Sequence, residues 1–262
     1  MQNKKSILLL ATVLFFSLVF TSCVSRKDFM PYQEIEQLQP ESPKHFETVF
    51  QPDDMLLIVV SAENQEIAEP YNVYGTVVST SGVGGVGQRQ QHTYLVDEEG
   101  NIEFPVIGKI HVAGKTKTEL TNYLRKEISK DIKNPIINIR ITNYKVTVHG
   151  EVNRAGVHTI GSERITLPEA LALSGDMTIY GNRKKILVMR EENGIRKSEY
   201  VDITNADFMN SDFYYLKQND IVFVEQNNVR KNSAAVGPNI STMFSAISLL
   251  VSIITLGIRI NN

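Results

Sequence analysis

The stretch Lys145–Glu191 constrains this chain most, because its local signals admit one order of elements: strand, tight turn, strand, short helix, strand. Lys145–Gly150 alternates, with Val146 and Val148 on one face and Lys145, Thr147 and His149 on the other. Arg154-Ala155-Gly156 supplies a turn, and Gly156–Ile160 returns as a second short strand. Thr166-Leu167-Pro168-Glu169 is a capping box: the Thr hydroxyl accepts the Glu169 N–H while the Glu carboxylate reaches back to the Thr166 N–H. Pro168 falls in the first helical turn, where its missing N–H costs little. The helix Leu167–Ser174 is expected to stop at Gly175, in the left-handed conformation that helix ends favour. Lys184–Arg190 is then another strand. A helix laid on a small curled sheet in this order is a β-grasp pattern.

The segment before it follows a similar plan. Phe50–Ser61 opens with a Pro-Asp turn and runs into a continuous apolar strand, expected at the centre of a sheet. Its Asp-Asp-apolar start recurs late in the chain as Asn219-Asp220-Ile221-Val222-Phe223-Val224. Thr93–Val96 and Asn101–Phe104 are expected to form a hairpin around Asp97-Glu98-Glu99-Gly100, with Gly100 at positive φ. Pro105–Val112 is read as a further strand. Thr116-Lys117-Thr118-Glu119 is a second capping box, starting a helix that aligns Leu120, Leu124 and Ile128 on one face. That helix must end before Asn134-Pro135, and Ile136–Ile141 alternates as a strand. Asn193-Gly194 joins Lys184–Arg190 to Lys197–Ile203 as a hairpin, and Asp220–Glu225 completes the second sheet.

Several chemistries are absent from the pattern. Net charge is −2 with both signs mixed, so no basic field points to nucleic acid. Gly82-x-Gly84-x-x-Gly87 matches a dinucleotide fingerprint literally, but a strand rather than a helix follows it, and Ser79–Gln91 is read as a loop. The five histidines are scattered with no metal-ligand spacing. His149 and His158 are placed to meet across the hairpin around Gly156, a contact that more often faces water than holds a metal. No Gly-x-Ser-x-Gly elbow occurs, and Asp53 and Asp54 are read as capping a turn. No enzyme, metal or cofactor is expected.

The two ends point to membranes. Lys4 and Lys5, the apolar run Ile7–Phe20, and Phe20-Thr21-Ser22-Cys23 form a secretory signal ending at the sole cysteine. This arrangement resembles a bacterial lipobox, with Cys23 acylated as the mature N-terminus. Val24 and Ser25 follow Cys23, with no Asp there, and analogy with lipoprotein sorting implies the outer membrane. At the other end, Ile240–Ile258 carries no charge and, as a helix, spans about 28 Å, close to a hydrocarbon core of about 30 Å. Ser241, Ser245, Ser248, Ser252 and Thr255 recur at spacings 4, 3, 4, 3, a small-hydroxyl seam suited to close helix–helix contact in lipid. An inert anchor and a helix packed on a soluble partner remain alternatives.

Two stretches carry a family resemblance. "VHGEVNRAGVHTIGSERITLPEALALSGDMT" resembles the soluble-ligand-binding β-grasp (SLBB) module of bacterial polysaccharide export proteins, and "YLVDEEGNIEFPVIGKIHVAGKTKTELTNYLRKEI" resembles their export domain. The expected fold is α+β, with two small β-grasp-like domains in tandem between a lipoprotein signal and a C-terminal transmembrane helix. The expected division is a signal peptide over 1–22, a tether over 23–49, the export domain over 50–143 and the SLBB-like domain over 144–226. A polar linker over 227–239 and a membrane-spanning helix over 240–260 follow. The resemblance implies an outer-membrane lipoprotein forming a homo-oligomeric ring, a passive conduit for capsular polysaccharide or exopolysaccharide. It also implies an inner-membrane copolymerase or chain-length partner beneath that ring. A monomeric glycan-binding lipoprotein is the alternative, with Tyr180, Phe213, Tyr214 and Tyr215 as groove candidates. A periplasmic glycan hydrolase using Asp53 or Glu98 is a third.

Overall fold

The computed structural model describes residues 30–37, 47–77, 88–192, 194–236 and 240–260. The signal segment, Cys23 and the glycine-rich stretch Gly82–Gly87 lie outside the described residues. The first domain runs through β1 (Met55–Ser61), α1 (Gln65–Ala68), β2 (Tyr74–Val77), β3 (Gln88–Gln91), β4 (Thr93–Leu95), β5 (Asn101–Phe104), β6 (Gly108–His111), α2 (Lys117–Ile128) and β7 (Ile136–Ile141). β1 lies between β4 and β7, antiparallel to both, as a central strand should. It is nonetheless one-sided: Leu56, Ile58 and Val60 are fully buried, whereas Met55 on the other face is exposed. A run of apolar residues thus conceals an alternating strand.

β4 pairs only with Met55–Leu57, so the rest of that β1 edge needs other partners. Side chains supply them. Asn72 accepts the Val60 N–H at 3.0 Å and donates to Val60 O at 2.7 Å and Ala68 O at 3.0 Å, while Gln91 Nε2 donates to Ile58 O. Buried backbone groups left unpaired cost about 1–3 kcal/mol each, so one buried Asn here stands in for a strand. α2 covers the sheet with Leu120, Leu124 and Ile128, all fully buried, at the expected spacing. Thr116 closes its capping box with Glu119 in both directions.

Two pairings in this domain differ from expectation. Gly100 sits at φ +82 in a turn whose Asp97 N–H donates to Asn101 O, yet β4 pairs with β1 rather than with β5. β5 instead pairs with β6, and Pro105–Ile107 forms the turn between them rather than continuing a strand. Val106 takes φ +68 there, a conformation that a β-branched residue pays for in strain. The end of the expected loop, Gln88–Gln91, is a strand paired with Tyr74–Val77.

The second domain contains β8 (Lys145–Gly150), β9 (Gly156–Thr159), β10 (Ile165–Thr166), α3 (Leu167–Leu173), β11 (Gly181–Glu192), β12 (Ile195–Val201), β13 (Tyr215–Leu216) and β14 (Ile221–Gln226). Five strands form one sheet in the order β12-β11-β14-β8-β9, with β14 and β8 parallel at its centre. α3 lies on it, burying Leu167, Ala170 and Leu171, with its Thr166–Glu169 capping box formed and Gly175 at φ +71 beyond its end. This is the β-grasp plan. The first domain departs from it, since all its named strand pairings are antiparallel. The molecule is a mixed α/β chain of two tandem domains.

The segment expected as a polar linker holds a helix, α4 (Asn228–Val236), because Asn227 caps it: its Oδ1 accepts the Arg230 N–H at 3.0 Å. The last helix, α5, runs Ile240–Ile260, 21 residues. Among the described residues no helix is long and apolar enough to cross a membrane. The expected membrane-spanning helix is therefore not met on those residues. In α5 the side chains at 240, 241, 243, 254, 255, 258 and 260 lie outside them, several being its most apolar ones.

Candidate functional site

Three features stand outside the two cores: a junction between the domains, a strap at the N-terminal side, and the C-terminal helix. The junction is built on two matching turns. At Gln51-Pro52-Asp53-Asp54, the Asp54 N–H donates to Gln51 O at 3.2 Å, Asp54 Oδ2 accepts the Gln51 N–H at 2.9 Å, and Asp53 takes φ +70. At Lys217-Gln218-Asn219-Asp220, the Asp220 N–H donates to Lys217 O at 3.1 Å, Asp220 Oδ2 accepts the Lys217 N–H at 2.8 Å, and Asn219 takes φ +65. The recurring sequence at these two places is thus one turn used twice, with an Asp or Asn tolerating the left-handed conformation.

The turns touch. Gln51 Nε2 donates to Gln218 O at 3.3 Å, and Gln218 Nε2 donates to Asn143 O at 3.0 Å. Asn143, in the segment between the domains, donates to Asp53 O at 2.8 Å and accepts the Met55 N–H at 2.9 Å. Further out, Lys117 of α2 pairs with Glu163, whose backbone carbonyl accepts Thr48 Oγ1 at 3.2 Å. These links are polar, and one apolar side chain joins them: Ile141, at the end of β7, packs against both hydrophobic cores.

The carboxylates of the two turns differ in their partners. Asp220 is fully buried and receives the Arg190 guanidinium, with Nε 3.0 Å from Oδ1 and Nη2 2.6 Å from Oδ2. Burial pushes its carboxyl up and Arg190 pulls it back. Asp54 is equally buried, but its Oδ1 has no hydrogen-bond partner. Burial pushes this carboxyl up to about 6; the Gln51 N–H and the Gln218 side chain lower it, and the Asp53 charge raises it.

The described part of the expected tether is a strap on the second domain. The Tyr32 and Gln33 N–H groups donate to Ile203 O and Thr204 O at 3.0 and 2.8 Å, and the Ala206 N–H donates to Gln33 O. Tyr32 packs its ring 5.9 Å from Phe208, which meets Tyr214, which in turn meets Tyr215 edge-on at 4.9 Å. After the strap the chain re-enters the first domain, where the Phe50 N–H donates to Lys115 O.

The remaining candidates are dispersed. Phe213 is buried in the core under Arg190, and Tyr180 meets Arg230 at 5.1 Å, so the four aromatic residues do not line one open groove. His149 and His158 do not meet. His158 lies opposite Val146 in the β8–β9 register and so shares the core face, whereas His149 is on the reverse face, stacked 4.8 Å from Phe223. His158 Nε2 is 2.9 Å from the buried Ser174 Oγ. The same hydroxyl lies 3.1 Å from Ala170 O, one turn back in α3, so it has both a helix carbonyl and the imidazole within reach. Among the described residues no group of three or more His, Cys, Asp or Glu could hold a metal.

Of the seam, Ser245, Ser248 and Ser252 are exposed on α5, and Ser252 Oγ donates to Ser248 O at 2.9 Å. The side chains of Ser241 and Thr255, like Cys23, lie outside the described residues. Phe244, Ile247, Leu249, Leu250, Val251, Ile253 and Leu256 are all more than half exposed.

A two-domain build with an export-like first half and a β-grasp second half defines the class, and comparison with known proteins agrees. The profile for polysaccharide biosynthesis/export proteins matches residues 42–142, and that for the SLBB domain matches residues 144–224. The chain belongs to this polysaccharide export family. It is 33% identical over 143 residues to the EPS I polysaccharide export outer membrane protein EpsA of Ralstonia nicotianae, covering 52% of this chain and 37% of that protein. It is 30% identical over 141 residues to EpsA of Ralstonia solanacearum, again covering 52% and 37%. The matched region is thus well under half the length of either relative.

Proposed function

We propose that this chain is an outer-membrane polysaccharide export lipoprotein, acylated at Cys23, whose copies assemble into a hydrated conduit for exopolysaccharide or capsular polysaccharide. The observation that carries the reading is one chain holding an export module and an SLBB module, tied by a hydrogen-bonded junction with Ile141 packed on both cores, and followed by an apolar helix. The names of the two Ralstonia relatives support the cargo and the membrane. The strap, beginning a few residues after Cys23, and α4 both attach to the second domain, and α5 follows α4 in the chain. This supports a periplasmic molecule in which that domain faces the outer membrane and the first domain faces an inner-membrane copolymerase partner.

In this reading α5 is the membrane element. Its sequence is uncharged from Ile240 to Ile258, its length as a helix is about 31 Å at about 1.5 Å per residue, and the apolar side chains from Phe244 to Ile253, with Leu256, stand exposed. The seam Ser241, Ser245, Ser248, Ser252 and Thr255 is the contact between neighbouring helices. Subunits join by heterologous contacts that close a ring. The conduit acts by steric and electrostatic guidance without a covalent step.

The test is the mass of the complex extracted from membranes in mild detergent, with and without residues 240–262. A large discrete assembly that is loosened or lost from the membrane on truncation supports the conduit. A monomer in both forms overturns it in favour of a glycan-binding lipoprotein.

A further inference from the structure

Among the described residues, Asp54 Oδ1 is the buried side-chain oxygen left without a hydrogen-bond partner, and it sits at the junction between the domains. Its carboxyl is fully buried at the foot of β1: Oδ2 receives the Gln51 N–H, Oδ1 makes no hydrogen bond, and the nearby Gln218 side chain, whose Nε2 donates to Asn143 O, eases the charge without closing a bond to Oδ1. The neighbouring groups are those that link the domains: Gln51 to Gln218, Gln218 to Asn143, Asn143 to Asp53 and Met55. The equivalent turn of the second domain shows what is missing, since Asp220 is matched there by the buried Arg190. An ionised carboxylate with an empty lone pair in a dry site costs free energy that can be relieved in two ways. The carboxyl takes up a proton, or the junction loosens and water reaches it.

We infer that Asp54 is a proton-operated latch between the two domains, ionised and loosening the junction in neutral surroundings, protonated and letting it close in mildly acidic ones. Protonated, the group becomes a donor as well as an acceptor and no longer carries a buried charge. The charged groups around it do not supply an alternative partner. Asp53 on the same turn repels it. Across the junction, Lys217 pairs with Glu192 and Asp220 with Arg190, on either side of Gln218. Lys145 offers its backbone N–H to Gln218 Oε1, and Asp97, beyond Val96, accepts the Asn101 N–H.

The sign follows from the shift. The folded value of about 6 lies above the ordinary 3.8, so the closed junction holds a proton that an opened, hydrated one releases. Closure is therefore favoured as pH falls through about 6 and is fully favoured near the ordinary carboxylate range.

The test uses the full-length protein in mild detergent and follows amide hydrogen exchange by mass spectrometry in peptides covering residues 50–56 and 143–147. These contain the Gln51, Met55 and Lys145 amides that donate within the junction. After correction for intrinsic exchange, protection is expected to be about tenfold higher at pH 5 than at pH 7.5. Asp54→Asn, neutral at both, is expected to show the acid level of protection at pH 7.5 and no pH dependence. Asp53→Asn, which leaves Asp54 in place and suits the left-handed φ, is expected to move the midpoint down while keeping the transition. Equal wild-type protection at the two pH values overturns the latch even if Asp54→Asn does not fold. A tenfold change that survives in Asp54→Asn also overturns it.

Discussion

Arg190 and Asp220 form a buried, three-bonded ion pair across the β11–β14 ladder, the guanidinium 5% exposed and the carboxylate not at all. The same guanidinium donates to Tyr215 O at 2.9 Å and Asp212 O at 3.2 Å and stacks 4.7 Å over Phe213. One side chain thus fixes β11, β13, β14 and the loop before β13 in a single geometry. Removing one partner leaves a bare charge in a dry site, which costs about 3–5 kcal/mol. Arg190→Met is expected to lower the urea midpoint of the full chain accordingly. Adding Asp220→Asn, which keeps an acceptor for the Lys217 N–H but carries no charge, is expected to recover most of the loss. An Arg190→Met protein as stable as wild type would show the pair to be dispensable.

Helices α2 and α3 both begin at capping boxes, and their distances match closely. The Glu119 N–H lies 3.2 Å from Thr116 Oγ1 and the Glu169 N–H 3.3 Å from Thr166 Oγ1. The return bonds, to the Thr116 and Thr166 N–H groups, are 2.8 and 2.7 Å. Thr116→Ala and Thr166→Ala are each expected to destabilise their own domain by about 1 kcal/mol, with Ser retaining most of the cap. Thermal melts of the single variants against the Ser controls check this.

These caps were readable because every group in them lies within four residues of another. The same holds for Gly100 and Gly175, for the α2 face of Leu120, Leu124 and Ile128, and for the alternation of β8. What local reasoning could not supply was partnership at a distance. The sequence around Asp97–Gly100 predicts a turn and finds one, but which strand pairs with Thr93–Leu95 is decided by the core under β1, forty residues away in chain order. Gln88–Gln91 carries no apolar pattern because it is held by backbone pairing with β2. The Arg190–Asp220 pair and the orphaned Asp54 oxygen depend on burial, which neither composition nor periodicity reports. The two-turn recurrence is visible as a motif, but that one copy is neutralised depends on Arg190, 30 residues from Asp220 along the chain.

Gly150 ends β8 at φ +97, and a Cβ added there would stand 2.2 Å from Val224 O in the parallel partner strand. Backbone cannot step aside as a side chain can. Gly150→Ala therefore combines conformational strain of about 1–3 kcal/mol with a clash at the centre of the sheet, and is expected to abolish folding of the second domain. Gly194, at φ +72 in the β11–β12 turn, has open space around its Cβ position. Gly194→Ala is expected to cost only the left-handed conformation, about 1–2 kcal/mol. Far-UV circular dichroism with urea titration separates the two; comparable losses would mean that the β8–β14 contact yields.

Leu250 lies near the middle of α5 with its side chain 58% exposed, while Ser248, half a turn earlier, is on the hydroxyl seam. If lipid covers the apolar side, an Arg at the centre of the helix costs about 2.5–3.5 kcal/mol on an insertion scale, so Leu250→Arg is expected to reduce detergent-extractable assembly and release protein from the outer-membrane fraction. Ser248→Ala removes only a hydroxyl and leaves the helix more apolar. It is expected to preserve membrane retention yet loosen the assembly, since hydrogen bonds between membrane helices contribute about 0.6 kcal/mol each on average and a ring repeats the loss at every interface. Native mass measurements on both variants decide between the two roles of the helix. Loss of assembly in Leu250→Arg with an unchanged Ser248→Ala complex assigns α5 to anchoring, whereas weakening in Ser248→Ala places the seam between subunits.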